Sequence, residues 1–225
     1  MGARAFVWLG GALFAASLGV TAWWYLVLMG RQTPRDGGQP IAVDAALITI
    51  FALHHSLFAR EPVKDWLGRR VTAALLRSVY IWVASLLLIL VCVLWRPIGG
   101  VLYAATGIPA IALAAVQLAG LGITACSAAR IDPLELAGIR PAAQSQGLQV
   151  TGPYRWGRHP LFLGWVVMVV GAAHMTGDRL AFAAITTAYL VVAIPWEERS
   201  LRRSFGEDYV RYMYDVKWRM IPLIY

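Results

Sequence analysis

Two short clusters of ionisable residues interrupt an apolar background. Arg158-His159-Pro160 stands at the head of one apolar stretch, and Glu197-Glu198 stands at the foot of the next. If those stretches are antiparallel and joined by a tight turn at Thr176-Gly177-Asp178, the basic and acidic clusters meet at one depth. Pro160 suits the first turn of a helix, where its missing N–H costs nothing. A helix N-terminus flanked by Arg158 and His159 attracts a carboxylate. A glutamate pair attracts an ammonium, a sulfonium or ribose hydroxyls. A zwitterionic amino-acid ligand with an attached cation would suit such a site. A simpler use of the same residues is also open: the basic ones set topology, and Glu197 and Glu198 pair with Arg202 and Arg203 one turn on. His54 and His55 form a third cluster, near the end of the second apolar stretch. An ionisable residue inside a span is a functional hypothesis by default. His55 reads as a substrate-pocket residue or proton acceptor, with hydrogen-bonded interfacial histidines as the alternative.

The elements that must position these residues are membrane helices. The 225-residue chain is 59% hydrophobic and 14% charged, against roughly 25% charge in a soluble domain. Its formal net charge of +8 fits basic loops facing anionic lipid better than nucleic-acid binding. Cys92 and Cys126 lie in apolar runs without metal-ligand spacing, so no metal is expected. Six stretches approach the length of a span: Phe6–Met29, Ile41–Ala59, Leu75–Trp95, Ile108–Ala128, Leu161–Met175 and Leu180–Trp196. The first is too long for a signal-peptide core and ends in Trp23, Trp24 and Tyr25, the types that anchor at an interface. The fifth, as a helix, would reach only about 23 Å of a hydrocarbon core roughly 30 Å thick.

The fold expected is therefore all-α: a polytopic transmembrane bundle of five to six spans, the last two a short hairpin, with a cytosolic C-terminal amphipathic helix. Leu201, Phe205, Tyr209, Tyr212 and Val216 make the apolar stripe of that last helix, with Gly206 as an interruption. One membrane domain is expected, with 1–128 as a four-span half and 129–225 as the half bearing the site. With the N-terminus in the cytoplasm, sixteen of the 20 Lys and Arg fall on the inside and only Arg31, Arg35, Arg96 and Arg179 outside. Cytoplasmic termini follow from that bias, as does a site at the cytoplasmic face.

The run Gly152-Pro153-Tyr154-Arg155-Trp156-Gly157-Arg158-His159-Pro160-Leu161-Phe162-Leu163-Gly164 resembles the signature G-x-Y-x-x-x-R-H-P-x-Y-x-G. Glu197-Glu198-Arg199-Ser200-Leu201, followed by Phe205-Gly206-Glu207-Asp208-Tyr209 and Tyr212, is similar to its usual partner, E-E-x-x-L…F-G-x-x-Y-x-x-Y. Together they resemble the isoprenylcysteine carboxyl methyltransferase and phospholipid methyltransferase superfamily. Phe51-Ala52-Leu53-His54-His55-Ser56-Leu57-Phe58-Ala59-Arg60 narrows the resemblance to bacterial methanethiol S-methyltransferases and the related NnrU-like membrane proteins. Arg77-Ser78-Val79-Tyr80, Trp95-Arg96-Pro97 and Glu135-Leu136-Ala137-Gly138-Ile139-Arg140 fit the same pattern.

The resemblance implies an S-adenosyl-L-methionine-dependent membrane methyltransferase. It places cofactor contacts at Tyr154, Arg158, His159, Pro160, Leu161, Phe162, Gly164 and Glu197, with further contacts around Gln146, Leu148 and Gln149. His55 and Glu198 are the expected catalytic groups. The acceptor implied is small or lipid-soluble, most simply a thiol, reached from the surrounding lipid. Phe162 replaces the usual Tyr. Carboxyl-methylating members place an Arg where this chain has Ala193, and thiol-methylating members carry Asn-His where it has Asp132-Pro133. A carboxyl or phospholipid N-methyltransferase, a non-catalytic accessory protein of the NnrU kind, and an NADPH-dependent membrane reductase are the other readings. The last rests on the tail Val216-Lys217-Trp218-Arg219-Met220-Ile221-Pro222, spaced as in sterol reductases.

Overall fold

The computed structural model describes residues 2–33, 39–58, 61–70, 72–131, 133–140 and 147–225. Helices dominate: α1 (Gly2–Trp23), α2 (Gln39–Phe58), α3 (Glu61–Gly68), α4 (Ala73–Leu94), α5 (Gly107–Ala128), α6 (Pro133–Leu136), α7 (Pro160–Val170), α8 (Gly177–Phe205) and α9 (Glu207–Asp215). Strands β1 (Val101–Ala104) and β2 (His174–Thr176) form one two-stranded ribbon. Among the described residues five helices are long and apolar enough to cross a membrane, within α1, α2, α4, α5 and α8, and α7 is a shorter apolar helix. The protein is an all-α polytopic bundle.

The chain divides into two compact units. The first takes the described residues of 1–100, 132–144 and 176–178. Here α1 packs on α4 and α2 on α4. The Trp82 ring stacks on Phe6 at 5.5 Å, and its indole N–H donates to the Phe6 carbonyl. Asp178, 4% exposed, accepts hydrogen bonds from the Trp95 indole and from the backbone amides of Ile98 and Gly99, closing the turn after α4. Asp44 accepts from the Arg96 amide in the same turn. Trp24 and Tyr25 are not interfacial anchors. They sit in a widened π turn that continues α1 and are 4% and 6% exposed, Trp24 packing edge-on against Trp95. Only Trp23 faces outward. Hydropathy reports that an aromatic ring can sit at an interface; packing decided that two of these three do not.

The second unit takes 101–131, 145–175 and 179–225. Its frame is the pair α5 and α7, whose backbones touch. A Cβ at Gly120 would fall 2.4 Å from the Met168 nitrogen, and one at Gly164 would fall 2.6 Å from the Thr124 nitrogen. Two glycines thus give each helix a flat strip for the other's backbone, the small-residue packing that drives helix association in lipid. The Gln117 amide adds a bond to the Met168 carbonyl. Against α8, Trp165 packs edge-on to Phe182 and donates to the Thr186 hydroxyl.

The fifth apolar stretch is helical only from Pro160 to Val170, a rise of about 16 Å. Gly171 ends the helix, and the rest of the stretch runs through a largely buried connector into β2. The Ala173 carbonyl accepts from the Ala105 amide. Non-helical backbone at membrane depth needs that shielding and pairing. The sixth stretch is longer than expected. α8 runs 29 residues, through Pro195, and takes in the first half of the expected amphipathic helix. Gly206, at φ 52°, ends it in a region that L residues avoid, and α9 restarts the chain in a new direction.

Gly120→Ala and Gly164→Ala should each destabilise the protein by about 1–3 kcal/mol, since backbone must move to admit the methyl. Gly122→Ala, with nothing within 4 Å of its Cβ, should leave stability unchanged or slightly raised. Thermal unfolding of the detergent-purified variants checks both.

Candidate functional site

The site lies within the second unit and begins with a turn. Residues 147–151 lead irregularly into a 3₁₀ turn at Gly152–Arg155, and Gly157 brings the chain to Arg158, His159 and the start of α7. Arg158 and His159 are 7% and 4% exposed. A guanidinium so buried requires a counter-charge, and Glu198 of α8, 3% exposed, supplies it. Arg158 Nε and Nη2 both lie 2.7 Å from Glu198 Oε1. Nη1 donates to the carbonyls of Val216 and Lys217 at 2.7 and 2.9 Å. Arg219 Nε approaches the other oxygen of Glu198 at 3.4 Å. Glu198 therefore pairs across the unit with Arg158 rather than with Arg202 or Arg203.

His159 stands between the two glutamates. Its Nδ1 is 3.5 Å from Glu197 Oε2 and its Nε2 is 3.6 Å from Glu198 Oε1. The Glu197 side chain is 45% exposed where that of Glu198 is 4% exposed, so the neighbours differ in kind: one carboxylate is enclosed and shared between arginines, the other is open. Burial alone would lower the His159 pKa, but the two carboxylates outweigh it and hold the imidazole above its ordinary 6.5. Phe162 stacks on the His159 ring at 5.4 Å and 18°.

Three tyrosines line the same region as neutral hydroxyls. Burial pushes Tyr209 up to about 12, with Glu198 adding to the shift. It raises Tyr212 also, with Tyr209 contributing, and Tyr154, with Glu197 contributing. The Tyr212 hydroxyl donates to the Tyr154 carbonyl at 2.6 Å, tying α9 to the 3₁₀ turn. The Tyr209 hydroxyl and His159 Nε2 are buried without a hydrogen-bond partner.

The structure thus brings together Tyr154, Arg158, His159, Phe162, Glu197 and Glu198. Pro160 is buried at the first position of α7, and Leu161 follows it half-buried. No side chain caps α7, so the amides of its first turn have no partner within the helix. Leu148 and Gln149 are half-buried in the stretch before the 3₁₀ turn; Gln146 lies outside the described residues. Gly164 has a packing reason for its identity, the contact with α5 described above. His55 belongs to the first unit. Its Nδ1 is 2.5 Å from the Tyr80 hydroxyl, while His54 stacks on Tyr80 at 5.3 Å with both ring nitrogens buried and unpartnered. Among the described residues no group of three or more His, Cys, Asp or Glu could hold a metal.

Arg219, Tyr209 and Tyr80 were not singled out from the sequence as site residues. The motif F-G-x-x-Y-x-x-Y carried Tyr209 and Tyr212 as a helical stripe only, and Arg219 sat in a tail that pointed elsewhere.

The model of the isoprenylcysteine carboxyl methyltransferase family matches residues 140–203. A protein named methanethiol S-methyltransferase 2 from Bradyrhizobium diazoefficiens is 34% identical over 200 residues, covering 85% of this chain and 75% of its own. A methanethiol S-methyltransferase from Mycobacterium tuberculosis is 34% identical over 189 residues, 80% and 77% of the two chains. Nurim from Sus scrofa is 30% identical over 186 residues, 72% and 68% of the two chains. No solved structure matches the chain.

His159's raised pKa has a consequence for stability. Its charged form gains from Glu197 and Glu198 only in the folded state, so that contribution is present in full below pH 6.5 and is lost as pH rises through the higher folded value. The stability difference between the parent and His159→Gln should therefore be larger at pH 6 than at pH 9, as read by thermal unfolding in detergent across that range.

Proposed function

The chain belongs to the methanethiol S-methyltransferase family, membrane methyltransferases of the isoprenylcysteine carboxyl methyltransferase superfamily, and from that premise we propose that it transfers a methyl group from S-adenosyl-L-methionine to a small thiol at the cytoplasmic face. The observation that carries the reading is the closure of His159 and Arg158 on Glu197 and Glu198, in a chain similar over most of its length to enzymes named for thiol methylation.

The residues suit such a donor. Glu197 is an open carboxylate beside the stack of the buried His159 ring on half-buried Phe162, able to face a sulfonium, an ammonium or ribose hydroxyls. His159 Nε2 and the Tyr209 hydroxyl are buried polar atoms with bonding capacity to spare. We assign donor contacts to Tyr154, His159, Leu161, Phe162 and Glu197, with Leu148 and Gln149 beside them. The uncapped amides at the start of α7 suit a carboxylate. When bound, S-adenosylmethionine supplies a methyl group on a positively charged sulfur. Glu198 touches no open space and is enclosed by Arg158 and Arg219, so we assign it a positioning role in place of a catalytic one. Pro160 and Gly164 we assign likewise to building α7.

A thiol must lose its proton to act as the nucleophile. We assign that proton to His55, whose ring is held by Tyr80. Ala193, in place of an arginine one turn before the glutamates, leaves no guanidinium there for an acceptor carboxylate, which favours a thiol over a prenylcysteine acid. The excess of Lys and Arg in the loops assigned to the inside supports cytoplasmic termini in an inner membrane.

Full-length protein in detergent, given radiolabelled S-adenosylmethionine and a panel of thiols, prenylcysteines and amino lipids, should label a thiol. Glu197→Ala and His159→Ala should each lower donor affinity at least tenfold, about 1.4 kcal/mol. His55→Ala should lower kcat by about a hundredfold at neutral pH, less as pH approaches the thiol's own pKa. Label appearing only in carboxyl or amine products, or donor affinity unmoved by both site variants, would overturn the reading.

A further inference from the structure

The segment after α9 serves no expected part of the site, yet it is bonded to both residues at the site's head. The Arg158 amide donates to the Trp218 carbonyl at 3.0 Å, and the His159 amide donates to the Arg219 carbonyl at 2.7 Å. The Arg158 guanidinium takes the next carbonyls back along the segment, those of Val216 and Lys217. The end of the chain folds over to fix the segment itself. The amides of Met220 and Ile221 donate to the Tyr225 carbonyl, and Met220 is 2% exposed. Arg219 lies over the Tyr225 ring at 5.4 Å and donates to its hydroxyl at 3.3 Å.

We propose that residues 216–221 are a positioning strap for the donor site and that Arg219 is its positioning residue, fixing which glutamate faces the donor. The inference rests on the reading of that site as the place where S-adenosylmethionine binds.

Arg158 and His159 precede a helix in irregular backbone, where their amides have no partner in the turn itself. Buried amides must be bonded, and the strap bonds both. Glu198 has two oxygens. Arg158 holds Oε1, and without Arg219 the second would carry an unshared charge in a buried place. The carboxylate would then be free to close on His159, whose Nε2 already faces Oε1 at 3.6 Å, and to draw the ring away from Glu197. With Arg219 on Oε2, both oxygens of Glu198 are engaged and His159 Nδ1 keeps Glu197 as its partner. The open carboxylate and the imidazole then hold one arrangement before any ligand arrives. Arg219 does not touch the donor in this account; it acts through Glu198 and through its own carbonyl.

The test uses full-length protein in detergent with S-adenosylmethionine as the probe. Arg219→Gln should raise the donor KM about tenfold while kcat stays within about twofold. Arg219→Lys, which keeps the charge, should recover part of the loss. A role confined to folding would instead lower kcat in proportion to the active fraction and leave KM alone, and that result overturns the proposal. Hydrogen exchange of the parent serves should Arg219→Gln fail to fold: the amides of Arg158 and His159 should be protected without donor, and rapid exchange there overturns the proposal. If His159→Ala loses the donor while Arg219→Gln binds as the parent does, the strap is wrong and the site stands. If the parent itself shows no binding, the site and the strap both fall.

Discussion

The second unit depends on one buried ion pair. Arg158 and Glu198 come from opposite sides of the α7–α8 connection and are both enclosed. Desolvating two such charges is costly, and their attraction offsets that cost only when geometry is good and the remaining donors and acceptors are bonded. Here they are: two guanidinium nitrogens meet one carboxylate oxygen, a third takes two carbonyls, and Arg219 meets the second oxygen. Losing either partner would strand a buried charge, a penalty of roughly 3–5 kcal/mol. The pair adds little to stability over an apolar substitute. What it adds is specificity, because this arrangement of the α7 head, the α8 foot and the tail gives both buried charges their partners.

That arrangement needs a rigid base, and the contact of α5 with α7 provides it. Gly120 and Gly164 let two backbones meet without side chains between them. α7 is only 11 residues long and has few turns with which to hold itself in place, so its position comes from α5 and from Trp165 against α8. Shortening the helix also lets the connector after Gly171 pair with the chain near β1, which meets the need of membrane-depth backbone for partners.

Much of this was legible in the sequence, for identifiable reasons. The spans follow from hydropathy because apolar length is a direct physical requirement. The meeting of Arg158-His159 with Glu197-Glu198 follows from two antiparallel stretches and a turn, with no family needed. The stripe Leu201, Phe205, Tyr209, Tyr212, Val216 gave the inward side correctly across a break at Gly206, since all five are buried or half-buried. What escaped was whatever depends on packing between distant residues. Composition cannot tell a Trp in a core from a Trp at an interface, so Trp24 and Tyr25 were misplaced. An apolar run reads the same as helix or connector, so the end of α7 at Val170 was missed. Arg219 was missed because its role lies in a carbonyl and a charge supplied to residues far earlier in the chain, and neither leaves a spacing.

The glutamate pair shows why a motif of two identical residues need not mean two identical roles. Successive residues on a helix point about 100° apart, so Glu197 and Glu198 cannot both face the same cavity. On α8, 198 is the inward position, on the side of Ile194 and Leu201, and 197 is at the margin. The inward glutamate must be neutralised within the protein, and Arg158 and Arg219 do that. The marginal one can remain charged against water at no great cost, so its charge is the one available to a ligand. His159 touches both, and its proton is thereby stabilised by a structural carboxylate on one side and an available one on the other. A ligand cation approaching Glu197 would compete with that proton. Under the proposed reading, occupancy of the site by a cation and the charge of His159 would be coupled through that single carboxylate.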